Sequence, residues 1–411
     1  MANQLVTLRS VSWRDCCPWL IIVGAFRLAI SPQLLTFATL GVLLTNCGWW
    51  VFGELLDPGV DRPDRLPPRA SWVSSVETNV AEDSSQIAVH HKRGIWQSVA
   101  QGPVLGVWYR MNGPYMRLLT GPSAGWRTSL FYLVGAFWTL LVWSWFGAAI
   151  TRCAALRLAV DERPSFSQLF SYCASKFVAH LRAPLVPLLP VAALSVVILA
   201  TVGILARGEI TLWLAGLLWG PALALAFMMA ALLLGLAIGW PLMWCTISTE
   251  GTDEFDALSR SYSYTFRCPL HYAFYSLVAA VLGTLGLVLV EFVADWAVHF
   301  CSWSASWTAG WNRVVEITGG TVGGTTSSSG SGATLIKVWI GLVRTLESAF
   351  SYSFFWTSIT AIYLLLRYHV DHTELDEVYL TPQDETYGLP PLNTDEAGVP
   401  RVADEPGKED A

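Results

Sequence analysis

The sequence predicts an all-α integral membrane protein with about six transmembrane helices and amphipathic interfacial elbow helices between them. Three observations carry this expectation. Hydrophobic residues make up 53% of the 411-residue chain and charged ones only 14%, whereas a soluble domain averages roughly 25% charged. The apolar residues cluster into windows near the ~20 residues that a helix needs to cross a hydrocarbon core. Between those windows one layout occurs twice: span, polar elbow, amphipathic helix, proline, span.

The N-terminal segment, residues 1–32, holds Arg9, Arg14 and Arg27. It lacks the compact apolar core and small-residue cleavage site of a leader. "CCPWLIIVGAFRLAI" reads instead as a membrane-surface helix leading into the first span. That span, 33–53, ends in Trp49 and Trp50, which suit the interface. A polar loop, 54–127, is broken by proline at "DRPDRLPPR", and its later part, "PVLGVWYRMNGPYMRLL", is expected on the membrane surface.

The second span is 130–150 and the third 184–206, with prolines crowding the first turns of the latter. Residues 210–245 then run for 36 positions without a charge. That exceeds one ordinary span, and Pro221 divides it into a short kinked piece and a fourth span at 222–243. Two helices folding back there would make seven spans. The fifth span is 272–294 and the sixth 338–366, after the Gly/Ser linker "TGGTVGGTTSSSGSG" at 318–332. The end, 371–411, carries 12 Asp or Glu against Arg401 and Lys408, and reads as a disordered acidic tail. Its "HVDHTELDE" offers His369, Asp371, His372, Glu374, Asp376 and Glu377, a weak divalent-ion alternative to a solvated segment.

Orientation follows from lysine and arginine in short loops. The connection 151–183 holds Arg152, Arg157, Arg163, Lys176 and Arg182, and the next one only Arg207. Both termini are therefore expected in the cytoplasm of a multi-pass inner-membrane protein. The long first loop dissents with eight basic residues, but long loops obey the rule poorly.

The two elbows show helical periodicity. Phe255, Leu258, Tyr262 and Phe266 fall at steps of three and four, with Asp253, Glu254 and Asp256 at the helix start and Arg260 and Arg267 after them. In the earlier elbow Phe166, Leu169, Phe170, Cys173, Phe177 and Leu181 form the stripe, and Ser165 with Gln168 a capping box. Phe166, Leu169 and Phe177 match Phe255, Leu258 and Phe266 at a common offset of 89 residues, which points to an internal duplication. The carboxylates sit where a helix start favours acids, so the reading is architecture rather than an acid–base pair.

"EGTDEFDALSRSY" resembles the E-G-x(n)-A-L-x-R-S-[WY] elbow of bacterial membrane domains, one group of which accompanies glycerophosphodiester phosphodiesterase domains. The matching positions are Glu250, Gly251, Ala257, Leu258, Arg260, Ser261 and Tyr262. The catalytic domain of such proteins has no counterpart here, so the resemblance implies a fold and no hydrolase. "AIYLLLRYHVDHTELDEVYL" is similar to membrane proteins of Planctomycetes, which implies a bacterial inner membrane.

One polar constellation lies beside the spans. Glu291, Asp295 and His299, at four-residue steps, form a stripe at the end of the fifth span, and Arg344 and Glu347 enter the sixth at the same level. Charges at membrane depth are costly. A helix–helix ion pair of Glu291 or Asp295 with Arg344 is the first reading; a cation or proton site is the alternative. Beyond it Trp296, Phe300, Trp303, Trp307 and Trp311 describe an interfacial belt helix.

The eight cysteines show no C-x-x-C pair and read as small hydrophobes. No nucleotide loop, metal motif or nucleophile–base motif occurs, so no catalytic residue, cofactor or metal is expected. The expected partners are the lipid bilayer and proteins of a membrane complex, with no nucleic acid. The functional expectation is a non-enzymatic membrane-organising or partner-binding subunit. A permease-like transporter of a small solute is the alternative, and a membrane-embedded lipid-modifying enzyme the third.

Overall fold

Prolines and unbroken apolar runs set the architecture. The computed structural model describes residues 18–56, 99–120, 126–318 and 330–380, with two short strands at 392–394 and 400–402. Most of the polar loop, the Gly/Ser linker and most of the acidic tail lie outside the described residues. The chain divides into Met1–Val378 and Tyr379–Ala411. In the second unit β1 (Leu392–Thr394) pairs antiparallel with β2 (Pro400–Val402), Leu392 opposite Val402.

The first unit is helical. After a 3-10 turn come α1 (Ile21–Ala29), α2 (Pro32–Leu56), α3 (Pro103–Thr120), α4 (Trp126–Ala159), α5 (Phe166–Arg182) and α6 (Leu188–Ile198). Then follow α7 (Leu212–Glu250), α8 (Glu254–Arg267), α9 (Pro269–Ala309), α10 (Trp311–Thr318) and α11 (Ser331–Asp371). Five of these, α2, α4, α7, α9 and α11, are long and apolar enough to cross a membrane. The protein is a multi-span helical membrane protein.

The expected third span is not a sixth such helix. Residues 183–187 form turns, α6 is 11 residues long, and a π-turn (Leu199–Gly203) follows it. Pro184, Pro187 and Pro190 remove three backbone donors, so regular bonding begins late. By contrast, Pro221 does not divide α7, which runs 39 residues through Pro221 and Pro241. The separate belt helix is also absent. Trp296, Phe300, Trp303 and Trp307 belong to the single 41-residue α9, which ends at Gly310 with φ 82°. No proline or glycine interrupts the helix between the span and the aromatic stripe, so nothing bends it onto the interface. At 1.5 Å per residue α9 is about 60 Å long, twice the ~30 Å hydrocarbon core.

The centre of the unit is the second half of α11. Residues 349–367 are buried on every side. Most of its Ser and Thr hydroxyls return to their own helix, Thr357 Oγ1 to Ser353 O at 2.9 Å and Thr360 Oγ1 to Trp356 O at 2.8 Å, while Ser353 Oγ donates to Ala29 O of α1 at 2.8 Å. A helix with no solvated face, its few polar groups satisfied inside the bundle, belongs in the middle. Helices α1, α2, α3, α4, α7 and α9 pack around α11.

Two segments expected on the membrane surface dock on the bundle. In α1, Ile22, Ala25, Leu28 and Ala29 are buried, and the Phe26 ring lies 6.1 Å from Phe350 and 6.2 Å from Phe354. In α3, Val104, Val107 and Met111 are buried, and Trp108 Nε1 donates to Ala237 O at 2.8 Å. Both buried faces follow helical spacing.

The first elbow helix carries the expected capping box, and the second is capped as well. Gln168 N donates to Ser165 Oγ at 3.3 Å and Ser165 N to Gln168 Oε1 at 2.7 Å. Asp253 caps α8 by accepting from Asp256 N at 2.9 Å. Their apolar stripes are split: Phe166, Phe170, Phe255 and Phe266 turn outward, Phe255 64% and Phe266 55% exposed, while Leu258 and Tyr262 pack partly on the core. The buried faces are Leu169, Tyr172, Cys173 and His180 in α5 and Ala257, Ser261, Tyr264 and Thr265 in α8. Aligned by N-cap and by Leu169 with Ala257 and Cys173 with Ser261, the elbows correspond at an offset of 88, one residue from the aromatic match. The aromatics had marked the outward face.

Candidate functional site

Polar side chains gather at both ends of α11. At the end where its chain begins, α9 and α11 bring the expected stripe together in part. Asp295 Oδ1 lies 2.6 Å from Arg344 Nη1, a charge contact outside hydrogen-bond geometry. Arg344 Nη1 donates to Glu347 Oε1 at 3.2 Å. Glu291, one turn before Asp295, adds a carboxylate to the same face. His299 is elsewhere: its ring packs edge-on against Trp296 at 5.7 Å and beside Phe300 at 6.2 Å.

The Asp295 and Arg344 side chains are 38% and 36% exposed, so solvent or headgroup screening limits the pair to about 0.2–1 kcal/mol. Exchanging the charges, Asp295→Arg with Arg344→Asp, should recover most of what either single change loses. Unfolding of the four proteins in detergent measures the coupling, and strictly additive losses would mean that the two residues are not partners.

The other end, about 35 Å along α11 by helix rise, holds a denser set. Glu250 closes α7, and Gly251 follows at φ 65°, the left-handed cap that turns the chain into α8. Glu250 Oε2 lies 2.7 Å from Arg260 Nη1, its Oε1 lies 3.8 Å from Arg367 Nη1, and Tyr363 OH donates to Oε1 at 2.5 Å. Arg260 also meets Asp256 Oδ2 at 3.1 Å, and Tyr264 OH donates to Asp371. Arg367 Nη2 donates to the carbonyls of Glu374 at 3.1 Å and Glu377 at 2.5 Å. Of the candidate ligands of "HVDHTELDE", the Asp371 side chain accepts from Tyr264 and His369 Nε2 sits 2.7 Å from Tyr275 OH. Among the described residues no group of three could hold a metal ion.

Beside this hub, α4, α5 and α7 meet at Ser248. Its Oγ lies 2.6 Å from Thr151 Oγ1 and 3.1 Å from His180 Nε2, and Arg152 Nη1 donates to its carbonyl at 3.0 Å. His180 Nδ1 faces Lys176 O at 2.9 Å, which suits the tautomer with the proton on Nδ1. Tyr172 OH donates to Ile247 O at 2.7 Å, and the Arg152 guanidinium lies 4.7 Å from the Tyr172 ring. Lys176 Nζ donates to Gly251 O. A hydroxyl against an imidazole is the geometry of a nucleophile and base, but Ser248 and His180 are both fully enclosed. Here they brace three helices.

Burial pushes the His180 imidazole down from 6.5 to about 4, and the nearby Lys176 ammonium adds to this against the Lys176 and Trp244 backbone contacts. Above pH 6.5 the ring is neutral folded or unfolded and costs nothing. Between pH 6.5 and 4 only the unfolded chain takes the proton, so stability should fall by about 1.4 kcal/mol per pH unit in that window. The difference between wild type and His180→Gln, followed by denaturation across these pH values, isolates the slope from the carboxylates; parallel curves would contradict it.

Sequence reasoning missed Arg152, His180, Ser248 and Arg367. It had counted Arg152 and Arg157 as loop charges; both lie within α4, Arg152 buried and Arg157 donating to Gln33 Oε1 at 2.7 Å. The available signal was an arginine inside an otherwise apolar helix. Comparison of the chain with protein-family models, curated proteins and solved structures finds no match.

Proposed function

We propose that the chain is a non-enzymatic, partner-binding subunit of a bacterial inner membrane, with both termini cytoplasmic. What supports this reading most is the hairpin of α6 and α7. Its first 23 α7 residues, 212–234, carry no charge, and α6 packs against α7. Leu217, Trp219, Leu223 and Phe227 turn outward, and a Cβ added at Gly216 or Gly220 would meet nothing. The hairpin adds little to the bundle core. It offers an apolar face at which small residues permit close helix approach. Among the described residues, the enclosed ionisable groups Glu250, Arg367, His180 and Arg152 are engaged with other side chains and with backbone.

Photo-crosslinking in cells tests this, with the probe at Trp219 on the hairpin and at Phe292 on α9. A discrete protein adduct from the hairpin alone is expected. Lipid adducts alone at both positions would refute the partner-binding role. Solute uptake by purified protein in vesicles, lost in Glu291→Gln with stability unchanged, would replace this reading with the permease.

A further inference from the structure

An exposed arginine stands at span depth. Arg110 lies on α3, which packs on α4, α9 and α11, and its guanidinium carbon is 6.0 Å from the centre of the Tyr352 ring. Tyr352 is midway along the apolar run 338–366 and stacks at 4.3 Å on Trp143 of the α4 span. On α9, Gly283 and Gly286 face Phe354 and Phe350, the residues on either side of Tyr352. That level is also near the middle of the apolar run 272–294, so three spans agree on the depth. The headgroups lie about 15 Å away, half of the ~30 Å core, and Arg110 is turned onto Tyr352.

The helices around it bring no free acid to that level. Helices α3 and α4 hold no Asp or Glu, and α7 holds none before Glu250. The nearest acids on α9 and α11, Glu291 and Glu347, lie toward Arg344, and Glu347 accepts from it. Tyr352 is uncharged at neutral pH, and a ring face offsets only part of the cost of a cation at this depth. Around Arg110, Leu105, Tyr109 and Met116 turn outward, and a Cβ at Gly113 would meet nothing. The result is an open, mostly apolar helix face with one positive charge in it.

We propose that this face of α3 docks a transmembrane helix of a partner protein that carries an Asp or Glu at mid-span, with Arg110 as its counter-charge. Depth selects the occupant. A lipid phosphate stays at the interface, and a free anion has hydrocarbon to cross. A carboxylate on a spanning helix is carried to this level by the helix, and the opposite charge fixes its register. The face is separate from the hairpin of α6 and α7, and neither needs the other to be occupied.

Arg110→Lys, followed by a membrane-permeant carbodiimide in native membranes, tests it. The reagent condenses an amine with a carboxylate in contact to give an amide, so Lys at 110 marks what faces it. The expected product joins that lysine to an Asp or Glu inside an apolar segment of another protein, identified by peptide mass spectrometry. Recovery of that protein with the intact chain should fall about tenfold or more in Arg110→Glu, and return when the identified acid is exchanged for arginine. Thermal unfolding checks that Arg110→Glu keeps the fold, and Arg110→Gln replaces it where it does not. A product joined to Glu291 or Glu347 would overturn the proposal, because the cation would then be paired within its own bundle. So would a product joined to a lipid carboxylate alone, or no product where other carboxylates of the same membranes have reacted. Recovery unchanged by loss of the charge would do the same.

Discussion

Glu250→Gln lowers the stability of the detergent-solubilised protein by about 3–5 kcal/mol, the cost of leaving a buried charge without its partner. The charge left behind is Arg367, whose side chain is 4% exposed and whose nearest carboxylate is Glu250. Glutamine keeps an acceptor for the Tyr363 hydroxyl, so the loss reports the charge and not the hydrogen bond. Arg260→Gln offers the contrast. Arg260 is 37% exposed, and its removal should cost about 1 kcal/mol, because water compensates Glu250 at that side. Thermal unfolding of the two variants beside wild type decides the matter. Equal small losses would mean that Glu250 does not hold Arg367.

Trp244→Ala should be as damaging, at about 3–5 kcal/mol. Trp244 stacks on Trp356 at 4.8 Å, stands edge-on to Trp240 at 5.7 Å, and ties α7 to α5 through the His180 carbonyl. Gly147 on α4 leaves room for it: a Cβ there would come within 2.8 Å of the Trp244 ring. Truncation therefore opens a cavity among three helices and leaves a backbone carbonyl unmet. Trp213→Ala and Trp303→Ala, on outward faces, should stay within about 0.5 kcal/mol in the same detergent. A Trp244→Ala protein as stable as these two would refute the central packing described here.

The stripe beside the spans shows how far local pattern carries. Asp295 and Arg344 were legible as facing charges because both lie on apolar helices, where few polar groups compete. His299 shares the spacing of Glu291 and Asp295 but packs against Trp296, since a four-residue step drifts around the helix by some 40° each time. The elbow hub was only half legible. Glu250, Gly251 and Arg260 stood out as a motif, but their partners Tyr363 and Arg367 lie more than 100 residues away. Spacing within the motif carried no trace of them.

What the sequence by itself determined is the class of protein, the five long spans, the two elbow helices and the capping box of the first. Each rests on composition or on residues a few positions apart: Ser165 with Gln168, the acids Asp253, Glu254 and Asp256 at the start of α8, the unbroken apolar run of α11. What only the tertiary structure decided is which way each helix faces. In water an apolar stripe points to the core. In a membrane protein lipid and core are both apolar, so the stripe Phe255, Leu258, Tyr262 and Phe266 cannot tell inside from outside. The polar groups break that tie. Ser248, His180, Arg152 and Arg367 find acceptors only inside the bundle, because hydrocarbon offers none. Several of their partners, Ser248 for Arg152 and His180 and Glu250 for Arg367, come from helices distant in sequence, and only the assembled bundle brings them within reach.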